Sequence, residues 1–289
     1  MPVAVVTDTT QYLPREIIER HGLHLVSLYV NWDGRTEREA EMPDFDAFYG
    51  HMRTSAQLPS TSQPSVGDFL AVYEPLLADG SDILSIHLSG GISGTVGAAE
   101  QAREQLIERG IEPGRLLVLD SETACAGHGF MAIAAANAVK AGADLPAAAE
   151  AAHELRRLLK LRFAVDTLEF LRRGGRIGAA QAWVGSALKI KPILTIEREI
   201  EPIERVRTAG RAFDRLVAFL QERRDNGADV FFLQHIQAPD VVARLADRGA
   251  EIYGQPPGFI SEIGPVIGAH VGPGLIGVTG LSSRLLGPV

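Results

Sequence analysis

The chain reads as an α/β protein of two domains: an N-terminal doubly wound parallel sheet and a C-terminal mixed, largely antiparallel α/β domain. Three observations predict this. In the first half, short apolar runs alternate with stretches of helical apolar spacing, the signature of a parallel sheet with crossover helices. In the second half, the apolar runs Ile190–Glu197 and Glu199–Thr208 stand too close for a helix between them, so a hairpin is expected. The length of 289 residues, 46% hydrophobic and 22% charged, suits one large domain or two of ordinary size with a real core. A boundary near Leu161 divides the chain into an N-terminal domain, 1–160, and a C-terminal domain, 161–289.

Pro2–Thr7 is a short apolar run ending in Asp8-Thr9-Thr10. Pro14–His21 is expected to be a helix, with Pro14 suited to its first turn and Gly22 to its end. Leu23–Trp32 reads as a strand and Asp33-Gly34 as a turn. Asp44 is a candidate cap for a helix over Phe45–Arg53. A polar loop follows, Thr54–Ser65, in which Pro64 keeps Gln63 extended and Ser65 can cap the helix Val66–Ala78. Asp82–Leu88 and Arg115–Leu119 read as strands. Val96–Arg109, Gly127–Ala141 and Pro146–Leu159 read as helices.

Beyond the boundary, Arg162–Val165 is a candidate strand and Leu168–Arg172 a short helix capped by Asp166-Thr167. Ala179–Ala187 has helical spacing. Gly210–Asn226 is a long amphipathic helix ended by Gly227. Asp229–Ile236 is a strand and Pro239–Asp247 a helix. Ile260–Ile263, Val266–His270 and Leu275–Thr279 read as short strands punctuated by Gly and Pro.

A net charge of −8 argues against non-specific nucleic-acid binding, which needs a basic face. A single cysteine, Cys125, excludes an internal disulfide and a multi-cysteine metal site, and is most simply a small buried apolar residue. His, Asp and Glu are scattered without metal-ligand spacing, so no metal site is expected. No apolar run approaches the ~20 residues of a membrane span, and no signal peptide is expected, because Val3-Ala4-Val5-Val6 reads as strand. A soluble cytoplasmic protein without stable membrane insertion is the expectation.

The most informative stretch is His87-Leu88-Ser89-Gly90-Gly91-Ile92-Ser93-Gly94-Thr95, between a strand and a helix. Free backbone N–H groups and the positive end of a helix dipole stand there beside small hydroxyls, which suits an anion. The glycines form no dinucleotide fingerprint and no phosphate loop, because the lysine is absent. Ser93 as a hydrolase nucleophile would want Gly-x-Ser-x-Gly, and the final glycine is missing from Gly91-Ile92-Ser93-Gly94-Thr95. A plain helix cap accounts for Ser93 on its own; an anion ligand is the functional alternative. Thr61 and Ser62 lie in the other hydroxyl-rich loop, where turn chemistry is the simpler explanation. His270 precedes a Gly272-Pro273-Gly274 turn. Arg172, Arg173 and Arg176 form a basic cluster beside two glycines, either a solvated helix end or an anion or partner contact.

In order along the chain, these stretches resemble the DegV family of bacterial fatty-acid-binding proteins. The resemblance runs through Val5-Val6-Thr7-Asp8-Thr9, Thr61-Ser62-Gln63-Pro64-Ser65, Ile92-Ser93-Gly94-Thr95, and Asp120-Ser121 with Gly127 and Gly129. It continues through Asp166-Thr167-Leu168, Arg173-Gly174-Gly175-Arg176-Ile177 and Gly268-Ala269-His270-Val271-Gly272-Pro273-Gly274. It implies a long-chain fatty acid buried between or beneath two domains. Thr61 and Ser93, with Gly94, would hold its carboxylate and His270 would lie close by. It further implies a partner, the ATP-binding subunit of a fatty-acid kinase, which phosphorylates the bound carboxylate to an acyl phosphate for phospholipid synthesis. Arg173 and its neighbours Arg172 and Arg176 would serve that partnership. On this reading the chain is a substrate carrier and not an enzyme, with no catalytic residue and no cofactor beyond the lipid. Val96 and Gly97 stand where the family commonly has an aromatic and a Gln or Asn, and Cys125 where serine is usual; these departures bear on pocket shape. Two other readings compete: a serine hydrolase or acyltransferase using Ser93, His270 and Asp8 or Asp120, and a sugar- or nucleotide-phosphate binder at the same loop.

Overall fold

The computed structural model describes residues 2–42, 44–55, 57–184 and 190–286. In chain order its elements are β1 (Val3–Asp8), α1 (Arg15–His21), β2 (His24–Val26), β3 (Tyr29–Trp32), β4 (Arg35–Arg38), α2 (Asp46–Thr54), β5 (Ser60–Ser62), α3 (Val66–Ala78), β6 (Asp82–His87), α4 (Thr95–Glu108), β7 (Leu116–Asp120), α5 (Ala126–Lys140) and α6 (Leu145–Leu158). Then follow β8 (Leu161–Ala164), α7 (Glu169–Arg173), β9 (Lys191–Glu197), β10 (Glu199–Val206), α8 (Ala209–Asp225), β11 (Val230–His235), α9 (Pro239–Tyr253), β12 (Ile260–Glu262), α10 (Pro265–Val271), β13 (Ile276–Leu281) and α11 (Ser283–Leu286).

Two compact units emerge, Met1–Met42 with Thr61–Leu158, and Pro43–Ser60 with Leu159–Val289. A single cut near Leu161 therefore misses one excursion: the segment Pro43–Ser60 packs with the second unit. The reason is side-chain burial. Phe48 and Tyr49 on α2 are fully buried, Tyr49 donates its hydroxyl to Ile263 O at 2.6 Å, and Gly268 leaves room for the Tyr49 ring. Burying one such aromatic is worth roughly 1.5–3 kcal/mol, which favours packing this nine-residue helix there.

The first unit is built on a four-stranded sheet in the order β2-β1-β6-β7, and every pairing in it is parallel. Phe69, Tyr73 and Leu77 of α3 and Ala99, Ala102 and Leu106 of α4 share a core with Val6, Ile83 and Leu116 of the strands. The other helix pair is α5 and α6, with α5 also against β1 and β6. Ala126 to Ala136 are buried without interruption, and their small side chains let α5 approach strands and helix together. α3 starts where Ser65 predicts, with a reciprocal capping box to Asp68 worth about 1 kcal/mol. Leu23–Trp32 is two strands, not one. The break falls at Ser27-Leu28, where Leu28 N donates to Thr9 Oγ1, and β3 turns at Asp33-Gly34 into the unforeseen β4. Both turn residues have positive φ, 50° and 72°, as a tight hairpin requires.

The second unit holds a six-stranded mixed sheet, β10-β9-β8-β13-β11-β12, antiparallel except for β11 with β12. The expected hairpin is β9–β10, turning at Arg198 with φ 70°. Leu216, Phe219 and Leu220 of α8 and Val242 and Leu245 of α9 cover Phe231, Leu233 and Val278. Gly249 permits this closeness, since a Cβ there would overlap the Phe231 ring. Val266–His270 is not a strand: Gly264-Pro265 starts α10, with proline in the first turn. In 179–187, the part up to Trp183 is a 3-10 stretch, and 185–187 lie outside the described residues.

Candidate ligand site

The C-terminal ends of β1, β6 and β7 meet within the first unit. Asp8 closes β1 and accepts from Leu88 N at 3.0 Å; Asp120 closes β7 and accepts from Gly90 N at 3.0 Å. Ser89 N donates to Thr123 O at 2.8 Å. The loop 89–95 is thus held from both flanks. A Cβ on Gly90 would stand 2.8 Å from Asp120 Oδ2, so the carboxylate can lie flat on the backbone only because this residue is glycine.

At the far end of the loop, α4 begins at Thr95, with Gly94 as its cap residue. Ser93 is therefore one residue ahead of the cap. Its Oγ accepts from Thr95 N at 3.3 Å and shares a 2.9 Å hydrogen bond with Thr95 Oγ1. When Thr95 Oγ1 is the donor of that shared bond, the half-buried Ser93 hydroxyl keeps its own proton to give. The backbone N–H groups of Val96 and Gly97 precede the helical ladder, whose first bond runs from Ala98 N to Gly94 O. The second hydroxyl loop reaches the same place. Gln63 lies directly over Gly94, where a Cβ would overlap its amide. Thr61, half-buried on β5, is two residues away in that loop. Within the first unit the Gln63–Gly94 contact sets the Thr61–Ser65 loop against the Ser89–Thr95 loop.

Beneath this rim lies a cluster that the sequence reading reached only through Asp8. Asp8, Ser85, His87, His128 and Tyr73 are all 0% exposed. Burial alone would raise the Asp8 carboxyl; the neighbouring His128 and His87 imidazoles overcome it and hold the group well below the usual carboxylate range. Burial pushes the Tyr73 hydroxyl up. Cys125 is likewise pushed up by burial, then by Glu39 and Asp8, so its thiol stays protonated. The signal for the cluster was present: Ser85 and His87 are polar residues two apart within the otherwise apolar run Ile83–Leu88, hence on one face.

The second unit carries the other candidate residues. His270 sits on α10 with its ring against Gly174, Gly272 faces the Phe170 ring, and Gly274 faces the Asp166 carboxylate. Glycines thus bring the arginine–glycine stretch and the Gly268–Gly274 stretch into contact. Burial, assisted by the Arg176 guanidinium, pulls His270 down to about 4. Arg172 grips Glu169 through two hydrogen bonds, 3.0 and 2.8 Å, and Arg173 donates to the same carboxylate at 2.8 Å. Arg176 donates to Gly174 O at 2.6 Å. All three arginines are exposed, and the Glu169 carboxylate pairs with Arg172 and Arg173.

This chemistry suits holding an anion more than attacking a carbonyl. Ser93 bonds to Thr95 and not to a base. Asp8 is committed to His87, Leu88 and Thr10, and Asp120 to Gly90 and Glu122. Among the described residues no group of His, Cys, Asp and Glu could hold a metal, and no helix is long and apolar enough to cross a membrane.

Comparison with known proteins agrees with the architecture. The profile of a family described as uncharacterised proteins of the DegV family matches residues 2–282. A DegV domain-containing protein of Streptomyces coelicolor, SCO2569, is 40% identical over 288 residues, covering 98% of this chain and 99% of its own. The structure of a DegV family protein from Thermus thermophilus, described by its fatty-acid binding, superposes with a TM-score of 0.87 at 37% identity, over 98% of this chain and 100% of that one. DegV of Bacillus subtilis, solved as a fatty-acid-binding protein, gives 0.85 at 35% identity, over 96% and 98%. By sequence and by fold, the chain belongs to the DegV family.

Proposed function

We propose that this chain binds a long-chain fatty acid, holds its carboxylate at Thr61, Ser93 and Gly94, and presents it to a separate kinase for phosphorylation. The observation that carries this reading is the full-length likeness to the Thermus thermophilus protein, described by its fatty-acid binding. The rim chemistry supports it. A carboxylate leaving water needs donors, and two hydroxyls with helix-start N–H groups supply them. Lys140 is the first lysine of the chain, so the rim loops themselves carry no lysine of the kind phosphate loops use. The tail supplies affinity: each buried methylene is worth about 0.8 kcal/mol before ordering costs, enough for sixteen-carbon-class ligands to bind tightly.

In the transfer, one carboxylate oxygen attacks the γ-phosphorus of ATP, the bond to the bridging oxygen breaks, and ADP leaves. The kinase brings ATP and metal; this chain fixes the nucleophilic oxygen. The exposure of Arg172, Arg173 and Arg176 beside Gly174 and Gly175 supports a role in docking that kinase. Titration of delipidated protein tests the binding. Saturable uptake of palmitate, with no response to glycerol phosphate or nucleotides, is expected; the reverse selectivity overturns the reading. Addition of a DegV-dependent kinase and ATP should give an acyl phosphate, trapped by hydroxylamine as the hydroxamate. Binding without any hydroxamate would leave a lipid carrier and remove the kinase step.

A further inference from the structure

We propose that the buried chain Tyr73–Ser85–His87–Asp8 is a positioning device that sets the two loops of the carboxylate seat relative to each other. The inference rests on the fatty-acid reading above and deepens it. Tyr73 lies on α3, the helix that starts directly after the Thr61–Ser65 loop, and donates its hydroxyl to Ser85 Oγ at 2.7 Å. Ser85 Oγ lies 2.7 Å from His87 Nε2, and His87 Nδ1 lies 3.1 Å from Asp8 Oδ2. The same Oδ2 accepts from Leu88 N at 3.0 Å, immediately before the loop that carries Ser93. Asp8 Oδ1 accepts from Thr10 N at 3.0 Å and Thr10 Oγ1 at 2.5 Å, and His128 Nε2 of α5 stands 3.4 Å away.

One tautomer of His87 satisfies every link. Tyr73 donates to Ser85, Ser85 donates to Nε2, and Nδ1–H donates to Asp8. The connectivity is that of a Ser–His–Asp hydrolytic triad, but all members are 0% exposed and Tyr73 caps the serine. No substrate reaches Ser85, so the chain can act only by position. A directional hydrogen-bonded chain in a dry interior has one satisfied arrangement, and breaking any link leaves a buried group unpaired. Here that arrangement ties α3, below Thr61, to the end of β6, below Ser93. Gln63 and Gly94 meet above it.

The test uses the full chain with Tyr73→Phe and Asp8→Asn, read by palmitate titration, thermal melting and ¹⁵N-histidine NMR. Tyr73→Phe keeps the ring in the core and removes only the hydroxyl, at a buried position outside both loops. Palmitate affinity should fall about three- to tenfold in Tyr73→Phe, the worth of one hydrogen bond, and more than tenfold in Asp8→Asn. The His87 ring-nitrogen signal should shift when palmitate binds the wild-type chain, and this response should vanish in Tyr73→Phe. Lower melting temperature with unchanged affinity and an unchanged His87 response would overturn the proposal, since that is what plain core packing gives. If Asp8→Asn does not fold, Tyr73→Phe decides alone. A wild-type chain that takes up no palmitate fails at the earlier step, the fatty-acid reading itself, and is seen before any variant is compared.

Discussion

The Gln63 side chain rests on the backbone of Gly94 with no room for a methyl group between them. Gly94 has φ −79°, which any residue adopts, so glycine is needed for closeness and not for conformation. The obstructing atoms belong to the free end of an exposed side chain, which can swing aside. Gly94→Ala should therefore spare the fold, with melting shifted by about 2 °C or less, and weaken palmitate binding about tenfold by parting the two loops. Adding Gln63→Ala should restore part of the loss. Unchanged affinity in Gly94→Ala would show that the contact does not shape the seat.

Ser93 is expected to donate to the ligand carboxylate and not to attack anything. Ser93→Ala removes a hydrogen bond to a charged group, worth about 1.5–3 kcal/mol, so affinity should fall roughly ten- to a hundredfold. Thr61→Val should act in the same direction. Both changes lie at half-buried rim positions, so circular dichroism should be unaltered. A serine-reactive phosphonate should leave Ser93 unlabelled; stoichiometric labelling would revive the hydrolase reading.

His270 gives a pH dependence with a definite sign. It titrates near 6.5 when unfolded and at about 4 in the folded chain. Between these values the unfolded chain binds a proton that the folded chain refuses. The stabilisation is complete above pH 6.5 and is lost as pH falls towards 4. His21, His24 and His235 are lowered in the same direction, each chiefly by burial. His270→Gln should thus reduce, without abolishing, the acid-side slope of stability in urea titrations between pH 4 and 6.5. An unaltered slope would contradict the burial argument for His270.

Arg173 should matter to transfer more than to lipid binding. Its ion pair with Glu169 is exposed on both sides, and such pairs are worth about 0–1 kcal/mol. Arg173→Ala should leave melting and palmitate affinity near wild type and depress acyl-phosphate yield with the kinase severalfold. Equal loss of binding and transfer would argue against a docking role.

Much of this was legible along the chain because it is local. Ser65 with Asp68 marks a helix start, Asp33-Gly34 a tight turn, and strand–loop–helix alternation the parallel sheet with its polar rim. The misreadings have physical causes. The β-branched Val266 and Ile267 suggested a strand, yet Gly264-Pro265 is a helix start, and α10 must present Gly268 to Tyr49. The excursion of Pro43–Ser60 depends on the hydrogen bond from Tyr49 to Ile263, joining residues 214 apart. The chain below the rim joins a helix and two strands from three separate stretches. Of these only the Ser85–His87 alternation leaves a mark in sequence.

The central claim is tested most directly by extracting the purified protein with organic solvent and analysing the extract by mass spectrometry. A long-chain fatty acid recovered near one per chain is the predicted result, with delipidated protein taking up palmitate again. An extract empty of fatty acid, from a protein that also takes up none when it is offered, would contradict the claim.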